Sequence, residues 1–475
     1  MGAVNGLQLT SDVIVSLLLS FIITIAGFTT IASAQAGQRN TATPIKHVII
    51  IMMENHSFDN IFGIYPEVQG NNSNTTVGIE RPANLLNTSL LSSLSPVPNG
   101  TYSTTDPVEG YTTYHNDFNN GLMNGFLNNS GPQSMTYFTS NQLSLEWILA
   151  EEFGLGDRYF SSYLSETIPN RLMSLAGYTP VQADNGPPPY IPYNQTVFYE
   201  LQYFNISWSY YTVTSSTSSI PLDFISGFGS SAQYVQNWTS FYRAVNSSTL
   251  PSVSWVMPVG TTDSQYSQHP PRNMTLGEVW MLNIVNAVMH SAIWNSSAIF
   301  ITYDEGGGYY DQVAPPVLDN IQLGFRVPLI VISPYAKEDY ISSTLLNHDS
   351  LLAFIDFNWK IPPLNGFVSF SNIPLDFFDF SQKYSSGNLR RSPMSISAND
   401  TFPAVPQIPF GKLPYARNGS SNLTLHSMHI LPFVGNNTAL EGKNNYDLLA
   451  VILLSVSIAA VFTLVYIRRR RGKGN

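Results

Sequence analysis

KHVIIIMMENHSFDN, residues 46–60, carries the decisive pattern. Residues 46–53 make one short, nearly unbroken apolar run, which is what a parallel strand buried on both faces looks like. Residues 252–259, 298–303 and 327–333 read the same way. Between them lie patterns of helical spacing at residues 143–153 and 276–293. Strands that alternate with helices predict an α/β fold, a mainly parallel sheet sandwiched by helices. Such sheets place function at the carboxyl ends of their strands. Glu54 and Asn55 leave the first strand at that end, and Asp304 and Glu305 leave the strand at 298–303 in the same way.

Composition narrows the class. The chain has 475 residues, 43% of them hydrophobic and 13% aromatic, so it is no disordered polymer. Only 11% are charged, against about 25% in an ordinary soluble domain. The net charge of -10 leaves no basic face for phosphate backbones, which excludes a nucleic-acid partner. There is no cysteine, which excludes disulfides, thiolate metal sites and a cysteine nucleophile. Oxygen and imidazole groups are left to do any chemistry.

The two ends predict a compartment. Residues 13–32 are almost wholly apolar and run into Ala32-Ser33-Ala34, so residues 1–34 read as a signal peptide, although residues 1–12 lack Lys and Arg. Residues 448–467 are uncharged and mainly apolar, and Arg468 to Arg471 and Lys473 follow at once. A transmembrane helix at 446–467 with a basic cytoplasmic tail at 468–475 is expected. The catalytic body then lies outside the cell, in a single-pass cell-membrane protein. Without these ends the acidic excess of the chain is larger still. Sequons headed by Asn74, Asn87, Asn99, Asn128, Asn194, Asn205, Asn237, Asn246, Asn273, Asn295, Asn399, Asn418, Asn422 and Asn436 predict a glycoprotein. The body divides into a catalytic domain at 35–365, containing a polar insertion at 71–106, and a glycosylated extension or stalk at 366–445 with no clear helix.

Four groups of residues carry candidate chemistry. Glu54 beside Asn55 suits a hard divalent cation, and a ligand there would leave the formal Asn55-His56-Ser57 sequon unmodified. Asp304 beside Glu305 needs a cation or donors to offset its repulsion, and Gly306-Gly307-Gly308 permits close backbone approach. Thr167, two residues before Pro169, reads either as a helix cap or as a nucleophile at a helix N-terminus that favours phosphate. His269 and His115 stand in polar loop contexts, as donors to an anion or as a general acid.

Taken together, six blocks resemble one family. They are IKHVIIIMMENHSFDNIFG (45–63), HNDFNNGLMNGF (115–126), TIPNRLMSLAG (167–177), QHPPRNMTLGE (268–278), FITYDEGGGYYDQVAPP (300–316) and GFRVPLIVISPYA (324–336). In this order they resemble the phosphoesterase family of bacterial phospholipases C and related acid phosphatases. The resemblance implies an alkaline phosphatase-like fold and a divalent metal ion held by Glu54, Asn55, Asp304, Glu305 and Thr167. Thr167 matches the nucleophile, His269 a histidine on the phosphoryl group and His115 another active-site histidine. The chain departs from the family at three histidine positions, which hold Glu109, Gly306 and Gln312. His348 falls in a further family-like block.

The expected function is metal-dependent hydrolysis of phosphate esters, acid phosphatase-like, through a phospho-threonine. The alternatives are a phospholipase C acting on lipid headgroups and a catalytically silent surface glycoprotein. A sulfatase-like sister activity finds no C/S-x-P-S/A-R context.

Overall fold

The computed structural model describes residues 40–382, apart from 64, 66–102, 104, 139, 141 and 185–189. The strands of its central sheet are β1 (His47–Met53), β2 (Gly154–Gly156), β3 (Trp208–Thr212), β4 (Val235–Asn237), β5 (Val253–Val256), β6 (Ser297–Tyr303), β7 (Leu329–Ile332) and β8 (Tyr340–Ser342). Across the sheet they run β8-β2-β7-β6-β1-β5-β3-β4. β1 is central and pairs in parallel with β5 and β6. β3 pairs in parallel with β5 and β4, and β8 with β2. Every residue of β1 and β6 is buried, as the apolar runs predict. Each large aliphatic side chain so buried contributes about 1.5–3 kcal/mol.

β7 departs from the parallel rule and lies antiparallel to both β6 and β2. The connection from β6 to β7 carries a two-stranded hairpin (Val317–Leu318 with Ile321–Gln322) and no helix. A parallel return needs a crossover, usually helical, and without one the chain comes back in the opposite sense.

The principal helices are α1 (Phe58–Phe62), α2 (Tyr111–Phe118), α3 (Ser144–Glu152), α4 (Thr167–Ala176), α5 (Val197–Tyr203), α6 (Trp238–Asn246), α7 (Met274–Met289) and α8 (His348–Trp359). α4, α5 and α8 pack together, as do α3, α6 and α7, so the sheet is covered on both faces. α7 begins two residues before the expected start because Asn273 caps it, its side chain accepting from the Thr275 N–H.

The packed body runs past residue 365, and the expected stalk boundary is corrected accordingly. Residues 366–370 form a helix, and Phe377 and Phe378 enter the core. Phe377 also explains Gly154, because a Cβ there would stand 2.5 Å from its ring. Residues 1–34, the rest of the stalk, and the segments 446–467 and 468–475 lie outside the described residues. Among the described residues no helix is long and apolar enough to cross a membrane. Of the sequon asparagines within the described residues, Asn128, Asn194, Asn205, Asn237, Asn246 and Asn295 are exposed and Asn273 is half-buried.

Candidate active site

β1 and β6 are in register, Met53 opposite Tyr303. Their next residues, Glu54 and Asp304, therefore leave the sheet side by side, and the Asp304 N–H donates to the Met53 carbonyl at 3.1 Å. Asn55 then turns into the left-handed region, φ 61°, which asparagine tolerates better than most residues. That turn lets its N–H donate to Asp304 Oδ1 at 3.1 Å. The glycine run closes the corner from the other side. Gly307 has φ 63°, and a Cβ on it would lie 2.0 Å from the Asn55 carbonyl oxygen, so only glycine fits.

α4 supplies the third part. Thr167 is its first residue, while Glu166 holds the N-cap position without a side-chain cap. The Thr167 hydroxyl reaches Asn55 Oδ1 at 3.4 Å, a long contact. The next N–H, that of Ile168, donates to Asp184 Oδ1 at 2.8 Å. A carboxylate thus occupies one of the N–H donors that the sequence reading offers to a phosphate at this helix end. Burial pushes the Asp184 carboxyl up to about 7.

One turn after Thr167, Arg171 enters the same space, 1% exposed. Its Nε donates to Asp304 Oδ2 and a terminal nitrogen to Glu54 Oε1, both at 2.9 Å. Glu305 turns away from this pair. Its Oε2 accepts from the Tyr114 hydroxyl at 2.7 Å and from the Gly307 N–H at 2.6 Å. Burial, more than any other cause, pushes the Glu54 and Glu305 carboxyls well up, with Arg171 opposing the rise at Glu54.

A divalent cation fits this donor set. Glu54 Oε2 and Glu305 Oε1 are buried oxygens with no hydrogen-bond partner. Asn55 Oδ1 and the Thr167 hydroxyl, in contact with each other, add two more hard oxygen donors. Three carboxylates against one guanidinium also leave negative charge to neutralise. The three carboxylates do not form a tight cage by themselves, because Arg171 lies between Glu54 and Asp304. Among the described residues, the group whose ligand atoms all lie within 4.8 Å of one another is Asp106, Glu109 and His269.

The histidines divide. His269 joins the site: Glu109, its neighbour, accepts from Asn55 Nδ2 at 2.7 Å. His115 does not. Its Nδ1 bonds the Tyr111 carbonyl of its own helix at 2.8 Å, and its ring packs on Tyr111 at 4.1 Å. Among the described residues no hydrogen bond joins it to the carboxylates, and Tyr114 is the residue of α2 that reaches them. His348 is buried between the Asp304 carbonyl (2.7 Å from Nε2) and the Tyr159 hydroxyl (2.9 Å from Nδ1). Burial lowers its pKa to about 4, so it is a neutral support that positions Asp304. Arg171, Tyr114 and Glu109 escaped the sequence reading as site residues. Arg171 and Tyr114 have a signal in their helical spacing from Thr167 and from Tyr111, but only a known helix face makes it readable.

Comparison with known proteins follows the same residues. The profile of the Phosphoesterase family matches residues 45–362. The chain is 27% identical over 393 residues to phospholipase C A of Mycobacterium tuberculosis, covering 68% of this chain and 74% of that one. It is 26% identical over 358 residues to the non-specific phospholipase C3 of Arabidopsis thaliana, covering 65% and 66%. Among solved structures, a protein in the alkaline phosphatase superfamily from Vibrio parahaemolyticus aligns with a TM-score of 0.35 at 9% identity, covering 71% of this chain and 72% of that one.

Proposed function

The chain belongs to the phosphoesterase family, and from that premise we propose that it hydrolyses phosphate esters with Thr167 as nucleophile. It is a hydrolase of phosphoric esters, phospholipase C-like. The observation that carries the finer reading is the contact of the Thr167 hydroxyl with Asn55, next in sequence to Glu54, together with the buried carboxylate oxygens left without a partner on Glu54 and Glu305 where β1 and β6 end. A divalent cation held by Glu54, Asn55, Asp304, Glu305 and Thr167 would lower the pKa of the threonine hydroxyl and offset phosphoryl charge.

The protein's own residues do the rest. Asn55 orients the hydroxyl through its amide oxygen and is itself locked by Glu109. Arg171 holds Glu54 and Asp304 in place and, paired to both, is not free for substrate. The Thr167 hydroxyl releases its proton to water as Oγ1 attacks phosphorus, the bond to the leaving oxygen breaks and that oxygen takes up a proton. The phosphoryl ester left on Thr167, which still carries the second alcohol of a diester, is then cleaved by water to restore the hydroxyl. His269 stands on the Glu109 side of the site, where the phosphoryl and leaving oxygens would lie.

The substrate we favour is the phosphodiester of a phospholipid headgroup, because the relatives are named phospholipases C. We place the catalytic body outside the cell, anchored through residues 446–467. The apolar run before the arginines and the exposed sequons support that placement. One experiment covers both: supply intact expressing cells, and then the purified protein, with membrane-impermeant phosphocholine diester and simple phosphomonoester. Diester hydrolysis by intact cells, several-fold above monoester, is expected. Preference for the monoester restores the acid phosphatase reading, activity appearing only after lysis contradicts the topology, and no turnover of either favours the silent glycoprotein.

A further inference from the structure

Next to the site just assigned, and resting on that assignment, stands a second set of ligand atoms. Asp106, Glu109 and His269 each offer one, within 4.8 Å of one another. Oxygen and nitrogen ligands about 2.0–2.5 Å from a shared cation span no more than about 5 Å, so the spacing is that of a coordination shell. Acidic groups gather on surfaces without any ion, and Asp106 is exposed, so convergence alone decides nothing.

Buried atoms around the set decide more. His269 Nδ1 lies 2.7 Å from the Pro270 carbonyl, a contact that only an N–H makes favourable. Its Nε2 is then turned toward carboxylates, with Asp263 Oδ2 at 3.8 Å. A lone pair set against carboxylates is repulsive unless a proton or a cation lies between. One ring nitrogen bound to a backbone carbonyl and the other offered to anionic oxygens is the usual arrangement of a metal-ligating histidine. Behind Asp263 lies Glu54, 1% exposed, whose carboxyl interacts with that of Asp263, two acids that need a proton or a cation between them. On the other side lies Glu305, fully buried, whose Oε1 has no partner and on which Glu109 presses harder than any other charge. The unpartnered oxygens of Glu54 and Glu305 belong to the first cation's donor set, and through Asp263 and Glu109 the second set adds its negative charge to theirs. Arg171 is already committed to Glu54 and Asp304.

We propose that Asp106, Glu109 and His269, with Asp263 beside them, bind a second divalent cation next to the first. One nitrogen among carboxylates favours a borderline ion such as Zn2+ or Mn2+ over Ca2+. Glu109 joins the two sites, since the same carboxylate accepts from Asn55 Nδ2 at 2.7 Å. Glu109 also stands where the family often has a histidine. Exchanging an imidazole for a carboxylate removes a donor to phosphate, and a cation held there restores the positive charge. Two neighbouring cations suit a phosphoryl transfer in which attacking and leaving oxygens both carry charge.

The test is equilibrium dialysis of the full-length chain against Zn2+, and separately Mn2+, with elemental analysis and no substrate. Two equivalents are expected. Asp106→Asn and His269→Gln each weaken one of them by at least the roughly 10- to 100-fold that losing even an outer partner costs, and leave the other. Asp304→Asn removes the equivalent that Asp106→Asn spares. Melting curves in chelator, matching wild type, show that the Asp106 variant is folded. A single equivalent, indifferent to Asp106→Asn and His269→Gln but lost in Asp304→Asn, overturns the second site and leaves the first standing. Binding of no ion overturns both.

Discussion

Arg171 shows what a single residue does here. It is buried and bonded to two carboxylates that leave adjacent strands, so it is the charge that keeps the strand ends together when no cation is present. Removing one partner of a buried pair strands the other in a medium that solvates it poorly, at about 3–5 kcal/mol. Arg171→Met is therefore expected to lower the free energy of urea unfolding by about that amount in chelator, and added divalent ion recovers part of the loss. An unchanged unfolding curve in chelator would show that Glu54 and Asp304 do not depend on the guanidinium. The sequence made Glu54, Asn55, Asp304 and Glu305 legible because polar residues directly after an apolar strand have few ordinary uses. It did not make Arg171 or Glu109 legible, because each acts through a neighbour that only the fold brings close. His115 is tied by its Nδ1 to its own helix, and no hydrogen bond among the described residues joins it to the carboxylates. A histidine in a polar stretch looks functional, yet the face of α2 that turns inward presents Tyr114.

At the scale of elements, the strands read from sequence are those that lie in short, nearly unbroken apolar runs. β2 was missed because Gly154-Leu155-Gly156 has almost no strand propensity, and its conformation is set by packing against Phe377. β7 was found, but its direction was not, since direction depends on whether a crossover helix precedes it. Helix packing also creates acid pairs that no periodicity announces. α5 and α8 bring Glu200 and Asp356 together in the interior. Burial, first among the causes, raises Glu200 to about 9 and Asp356 to about 7; Asp356 adds to the rise at Glu200, while the hydrogen bond from Glu200 holds Asp356 lower. The folded pair keeps protons at pH values where the unfolded chain, with carboxyl pKa values near 4, has released them. Its contribution is therefore full below about pH 4, declines as pH rises, and is lost once pH passes the folded values. Thermal unfolding between pH 4 and 9 is expected to fall with pH, and Glu200→Gln to flatten that fall. A wild-type melting temperature that rises from pH 5 to 9 would contradict it.

For the whole molecule, the α/β class and the location of the site were legible together, because buried parallel strands both define the sheet and dictate where its functional end lies. The body's lower boundary was not. Residues 366–380 read as polar and irregular, yet Phe377 and Phe378 fill space between the sheet and its helices. The charge poverty of the chain takes on a different meaning beside this site. Among few acidic residues, Glu54, Asp106, Glu109, Asp184, Asp263, Asp304 and Glu305 are gathered around one strand end, where they influence one another. That concentration is stable only with protons or cations between them, which is the physical basis for the cation proposed at the site. The claim that everything else depends on is covalent attack by Thr167. It is tested most directly by acid-quenching the enzyme during turnover of a phosphodiester in the presence of divalent ion and mapping modified peptides by mass spectrometry. A phosphoryl adduct on Thr167, absent from Thr167→Ala whose turnover is lower by at least about 1,000-fold, is the predicted result. Wild-type turnover by Thr167→Ala, with no adduct at residue 167 in the native enzyme, would contradict the account.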